Sequence, residues 1–226
     1  MKKQLLFSLA AALMAAASLP AAAQVRVTEV APWSSGNSPV AADWFELTNF
    51  GTSAVNISGW KMDDNSNSFS SAVALTGISS IAAGQSVIFI ESASSSINAS
   101  FISTWFGGNA PAGLLIGDYS GSGVGLSSSG DAVNIYNSSG VLQAAVSFGA
   151  SPTGPFATFD NSTGQNNATL TQLSAIGSHG AFAAAGDPSE IGSPGVIAAV
   201  PEPGTYALML AGLALIGGIA RKRNLA

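Results

Sequence analysis

Short runs of alternating apolar and polar residues, separated by clusters of Gly, Ser, Asn and Pro, make up most of the chain. Val25, Val27 and Val30 lie in a β-branched segment that ends at Ala31-Pro32, which predicts a strand. After the polar stretch Ser34 to Pro39, the segment Asp43 to Asn49 alternates, with Phe45 and Leu47 on one face and Glu46 and Thr48 on the other. Asn49-Phe50-Gly51-Thr52 supplies a turn. Val55 and Ile57 then occupy odd positions and Trp60 and Met62 even ones, so a β-bulge is expected at Ser58-Gly59.

Val87 to Ile90 is apolar without a break and predicts a strand buried on both faces. Ile97, Phe101 and Trp105 instead recur at helical spacing, joined by Ile102 and Phe106. With Ser94 to Ser96 before them and Gly107-Gly108 after, they predict one short helix over Ile97 to Phe106. Asp131 to Tyr136 and Val141 to Phe148 flank Asn137-Ser138-Ser139-Gly140 as a hairpin, with Leu142, Ala144, Val146 and Phe148 on a shared face. Thr153 to Gly186 is glycine-rich and weakly periodic, and its packing is left open. Many short strands and a lone helix predict an all-β, immunoglobulin-like sandwich.

The two ends carry a different pattern. Met1-Lys2-Lys3 is positive, Leu5 to Leu19 is apolar, and Ala21-Ala22-Ala23 offers an A-x-A site, formed by Ala21 and Ala23, whose cleavage after Ala23 would leave Gln24 as the new N-terminus. This is the arrangement of a secretory signal peptide over residues 1–23, a substrate for signal peptidase. At the other end, Thr205 to Ala220 is uncharged and would make a helix of roughly 24 Å, short for the bilayer but extended by snorkelling of Arg221, Lys222 and Arg223. A transmembrane helix over 205–220 with a basic tail at 221–226 is therefore expected, placing the intervening chain outside by the positive-inside tendency. The layout is a sandwich at 24–195 and a linker with its Pro motif at 196–204.

Removing both ends changes the charge. Between Gln24 and Val200 only Arg26 and Lys61 oppose eleven carboxylates, so eleven acids minus two bases leaves −9 where the whole chain has −5. Nucleic-acid phosphates need clustered cations, so no nucleic-acid binding is expected. With no cysteine there is neither a disulfide nor a thiolate metal ligand, and stability must come from an ordinary core.

Candidate chemistry is sparse. His179 is the sole histidine, and a hydrolytic triad would have to join it to a serine and an acid such as Asp187, yet no Gly-x-Ser-x-Gly elbow occurs. Asp63, Asp64 and Asn65 form the one oxygen-rich cluster, whose donors suit calcium but which reads first as a polar turn that needs no metal; Ser68 and Ala74 stand where an EF-hand needs Gly and Glu. Gly121-Ser122-Gly123-Val124-Gly125 lacks the lysine of a phosphate loop and reads as a flexible loop. The scattered acids read as a solvated surface. Trp60 and Trp105 fit core patterns, whereas Trp33 and Trp44 are expected to be exposed and available for sugar stacking. No cofactor is implied.

Two resemblances add to this. Val200-Pro201-Glu202-Pro203, the apolar helix and Arg221-Lys222-Arg223 together resemble the PEP-CTERM sorting signal. The sorting residues would be Pro201, Glu202, Pro203, Arg221, Lys222 and Arg223, and an exosortase-type enzyme is the partner implied. Val27-Thr28-Glu29-Val30, Asp43 to Asn49, Ile57 to Asp64, Gly130 to Val133 and Gly192-Ser193-Pro194-Gly195 resemble the lamin-tail domain, an immunoglobulin-like sandwich. The resulting expectation is an exported, non-enzymatic binding or structural protein, anchored at the inner membrane before processing and then placed at the cell surface or in an exopolysaccharide-rich biofilm matrix. The alternative is a secreted hydrolase acting on polysaccharide or ester substrates.

Overall fold

The computed structural model describes residues 25–32, 40–92, 96–196 and 212. The signal-peptide residues Ala21 and Ala23, Trp33, and the sorting residues Pro201, Glu202, Pro203, Arg221, Lys222 and Arg223 lie outside them. Among the described residues no helix is long and apolar enough to cross a membrane; the segment expected to do so, 205–220, is outside them apart from Gly212.

The chain forms β1 (Val25–Ala31), β2 (Trp44–Asn49), β3 (Val55–Asn56), β4 (Lys61–Asp63), β5 (Val73–Ala74), β6 (Ser80–Ile81) and β7 (Ser86–Glu91), then the helix α1 (Ser96–Phe106). It continues with β8 (Ile116–Tyr119), β9 (Asp131–Tyr136), β10 (Leu142–Phe148), β11 (Phe156–Ala157), β12 (Phe159–Asp160), β13 (Ala168–Leu170), β14 (Phe182–Ala183) and β15 (Glu190–Gly192). One five-stranded sheet runs β12-β1-β2-β7-β8 and the other β13-β10-β9-β4-β5, with smaller sheets β11-β15-β14 and β3-β6. This is the expected all-β, immunoglobulin-like sandwich, with the short helix α1 among the described residues.

Apolar residues of alternating strands meet between the two large sheets. Val27, Phe45, Leu47, Val87 and Phe89 from one pack against Met62, Val133, Ile135, Ala144, Val146 and Phe148 from the other. The first sheet is covered on its outer face too. Trp44, Ile88 and Ile90 meet Phe101 and Trp105 of α1, with Trp44 edge-on to Phe101 at 5.4 Å and to Trp105 at 5.6 Å. Trp44 is therefore fully buried, which overturns its expected role as an exposed sugar platform. Trp60 and Trp105 are buried as the pattern indicated.

Three local features differ from expectation. The parity change at Ser58-Gly59 is a tight turn: the Trp60 N–H donates to the Ile57 carbonyl at 3.0 Å, and Gly59 takes φ 76°, a left-handed conformation suited to glycine. The turn carries the chain from the β3-β6 ribbon into β4 of a different sheet, so no bulge is needed. Bulges occur instead at Val27/Glu29 and Leu142/Ala144. The second turns Leu142 out of the core face that Ala144, Val146 and Phe148 keep. Finally, the weakly periodic stretch from Thr153 supplies β12 beside β1 and β13 beside β10, edge strands of both large sheets. Strands of two or three residues are too short to register as a period.

Candidate functional site

An open groove of about 460 Å³ lies on the outer face of the second sheet, within the ~300–1,000 Å³ range of small-ligand clefts. Its floor is low because β9, β10 and β13 present Ala132, Ala145, Ser147 and Ala168 there. Around this floor stand Asn65, Asn67, Asn134 and Asn167, with Asp131 at one end. Asn67 and Asn167 hold φ of 48° and 54°, in the left-handed region that asparagine tolerates better than most residues. The Tyr136 hydroxyl donates to Asn67 Oδ1, leaving the Asn67 NH₂ as a donor, and Asn134 Nδ2 donates to the Asp64 carbonyl at 2.6 Å. Amides of this kind offer donors and acceptors side by side, the requirement for matching a ligand's hydroxyl groups.

The oxygen-rich cluster builds one wall of this groove. Asp63 Oδ2 accepts from Ser66 Oγ at 2.8 Å and from the Ser68 N–H at 2.7 Å, and Asp64 Oδ1 accepts from the Ser66 N–H at 2.8 Å. The Asn65 N–H donates to Asp131 Oδ1 at 3.0 Å. These bonds are those of a polar turn. Among the described residues, no group of three or more His, Cys, Asp or Glu is placed to hold a metal ion.

The acids are not a solvated set. Glu29, Asp43, Glu46, Asp63, Asp131 and Glu190 are buried, six of the eleven. The β1 bulge turns both Thr28 and Glu29 to the outer face while Val27 and Val30 stay in the core, and it sets Glu29 opposite Glu46. Glu29 Oε1 accepts from Thr158 Oγ1 at 2.5 Å and the Ser193 N–H at 2.8 Å, and its Oε2 accepts from Ser193 Oγ at 3.1 Å. Glu46 Oε1 accepts from Thr28 Oγ1 at 2.6 Å, and its Oε2 from the Gly195 N–H at 2.7 Å. Burial, then the Glu46 charge, pushes Glu29 up to about 8, against the pull of its hydrogen bonds. Burial likewise raises Glu46 to about 7, opposed by the Thr28 and Gly195 bonds.

Three of the sequence motifs thus converge on one buried network: Val27 to Val30, Asp43 to Asn49, and Gly192 to Gly195. Gly192 is required there, since a Cβ would lie 2.5 Å from Glu29 Oε1 and 2.9 Å from the Trp105 ring.

His179 lies in a loop, but its partner is Asp160, with Nδ1 2.6 Å from Oδ2; Asp187, the acid considered for a triad, accepts instead from Ser189 Oγ and the Ser189 N–H. The histidine side chain is 42% exposed and borders a polar hollow of about 160 Å³ that includes Ser162, Thr163 and Thr169. The isolated bridge of Phe159 to Leu173, with the Asp160 N–H donating to the Gln172 carbonyl at 2.9 Å, folds the His179 segment back on Asp160, within the weakly periodic stretch whose packing the sequence left open. The Gly121 to Gly125 segment is tied into the core through Val124, which is fully buried.

An immunoglobulin-like sandwich, closed by a Gly-Ser-Pro-Gly segment on two buried glutamates, defines a structural β module. A family model described as Lamin Tail Domain matches residues 18–150, and one described as PEP-CTERM protein-sorting motif matches residues 199–224. No curated protein and no solved structure matches the chain. The first match spans more than half of the 226 residues, so the chain belongs to the lamin tail domain family. Its sorting motif makes it an exported protein, anchored at the membrane before an exosortase processes it.

Proposed function

We propose that this is a non-enzymatic protein of the cell surface or extracellular matrix whose asparagine-lined groove binds hydroxyl-rich polysaccharide. The observation that carries this reading is the groove itself. Asn65, Asn67, Asn134 and Asn167 surround a shallow floor of small residues, with a single carboxylate, Asp131, alongside. Neutral amides match sugar hydroxyls without the cations that an anionic ligand demands. The domain would extend over 24–195, with signal peptidase acting after Ala23 and the exosortase at the Pro201-Glu202-Pro203 end.

The test is binding of extracellular polysaccharide purified from the producing cells to the full chain. Asn65→Ala, or Ala145→Leu filling the floor, is expected to weaken binding at least tenfold while leaving the unfolding midpoint unchanged. Equal binding by both variants contradicts the reading. The competing hydrolase reading is favoured by one observation, the His179–Asp160 pair beside a polar hollow. Glycosidase or esterase turnover that disappears in His179→Ala would decide for it.

A further inference from the structure

At one end of the sandwich interior, three oxygen-bearing side chains stand side by side: Asp43, Glu91 and Tyr119. Asp43 precedes β2, and the Glu91 N–H donates to its carbonyl at 2.8 Å, so Asp43 and Glu91 are cross-strand neighbours. Glu91 is in turn the register partner of Tyr119 on β8. All three continue the inward row of Phe45 and Phe89, and the Tyr119 ring packs on Phe45 at 5.3 Å. Like charges directly opposite each other across strands repel.

Nothing among the described residues neutralises them. Arg26 reaches the Val25 and Gln143 carbonyls, and Lys61 lies over the Phe69 ring at 4.8 Å. Asp43 is 2% exposed, and its Oδ2 accepts from the Leu126 N–H at 2.9 Å, but its Oδ1 has no hydrogen-bond partner. Tyr119, 1% exposed, has none for its hydroxyl. Glu91 is half-buried and so leaves a path to solvent. The Gly121 segment closes over it so tightly that a Cβ on Gly121 would lie 1.5 Å from Glu91 Oε1. Burial first, then the Glu91 charge and a hydrogen bond shared with the Glu91 carboxyl, pushes Asp43 up to about 8 against the pull of the Leu126 N–H, and burial with the Asp43, Glu91 and Asp131 charges holds Tyr119 well above its ordinary value.

We propose that Asp43 and Glu91, completed by oxygens of the Gly121 to Gly125 loop and by water, bind one hard divalent cation, calcium. The donors are all oxygen, as calcium prefers, Asp43 Oδ1 has no donor, and the Asp43 and Glu91 carboxyls lie close enough to share a proton, the place a cation would take. Two carboxylates in place of three or four imply a weak site, in the ~10⁻⁴–10⁻³ M range of extracellular modules. The glycine loop that the sequence presents as merely flexible becomes the clasp over the ion.

The test uses the full chain stripped with a chelator, titrated with calcium chloride by calorimetry and followed by thermal unfolding. One binding event is expected, with the midpoint rising by about 5–10 °C when calcium exceeds its Kd a hundredfold. Asp43→Asn is expected to abolish the response while remaining folded, since its amide can donate to Glu91 and its oxygen can still accept from Leu126. Gly121→Ala, whose methyl group would push the Glu91 carboxylate out of place, is expected to weaken binding at least tenfold. The proposal is overturned if calcium gives neither heat nor a shift. A response that acid alone reproduces, with calcium silent, means that a proton holds the pair and also overturns it. So does a calcium response that survives Asp43→Asn and disappears in Asp63→Asn.

Discussion

Two pairs of acids flank the same strand, β2, and they are solved in opposite ways. Glu46 faces Glu29 across β1, and Asp43 faces Glu91 across β7; neither pair has a cation beside it among the described residues. The oxygens of Glu29 and Glu46 meet hydroxyls and N–H groups of Thr28, Thr158, Ser193 and Gly195, so that pair acts as a lock on the Gly-Ser-Pro-Gly segment. Asp43 keeps one oxygen without a donor. The consequence of burying an acid is therefore set by the donors supplied to it, and only the pair left short of donors has a reason to hold an ion.

Truncation breaks this comparison most sharply. Glu29→Ala strands the Thr158 hydroxyl and both Ser193 donors, and is expected to cost about 3 kcal/mol in urea unfolding. Glu91→Ala in the open pair, measured without calcium, is expected to cost almost nothing or to stabilise. Equal losses at both positions would remove the distinction. Gly192→Ala presses a methyl group into Glu29 and Trp105, for an expected loss of about 1–3 kcal/mol in the same assay.

Protons test the lock from another side. The folded pKa values of Glu29 and Glu46 lie above the ordinary 4.5, so above that pH the folded state retains protons that the unfolded chain has released. Stability is thus greatest in acid and falls as pH rises from about 4.5 toward 7–8, by at most about 1.4 kcal/mol per pH unit for each group. Thermal midpoints should be lower at pH 8 than at pH 5, and Glu29→Gln should flatten the profile; a flat wild-type profile contradicts the assignment. The smallest effect is at the groove. Asn65→Ala should change stability by less than about 0.5 kcal/mol, while weakening polysaccharide binding.

Much of this architecture was legible from residue order. The unbroken Val87 to Ile90 run read correctly as a strand buried on both faces, and Phe101 and Trp105 marked the helix that covers one of them. The alternation in Asp43 to Asn49 placed Phe45 and Leu47 in the core, but it could not show that the opposite face is buried as well. Trp44 lies under α1, and Glu46 and Thr48 are enclosed with hydroxyl partners, although polar residues on one side of a strand ordinarily mean solvent.

Sequence alone determined the β class, the helix, the sorting motif and the family, because each is written in local spacing or in a short contiguous signal. The asparagine groove, the Asp160 partner of His179 and the two fates of the acidic pairs were decided only by the tertiary structure. Periodicity reports which residues of one strand share a face. It carries no information on which donors arrive from elsewhere, and here Thr158 and Ser193 reach Glu29 across 129 and 164 residues. A carboxylate's protonation and partners depend on what lies within a few ångströms of it, and that neighbourhood exists only once the sheets have paired.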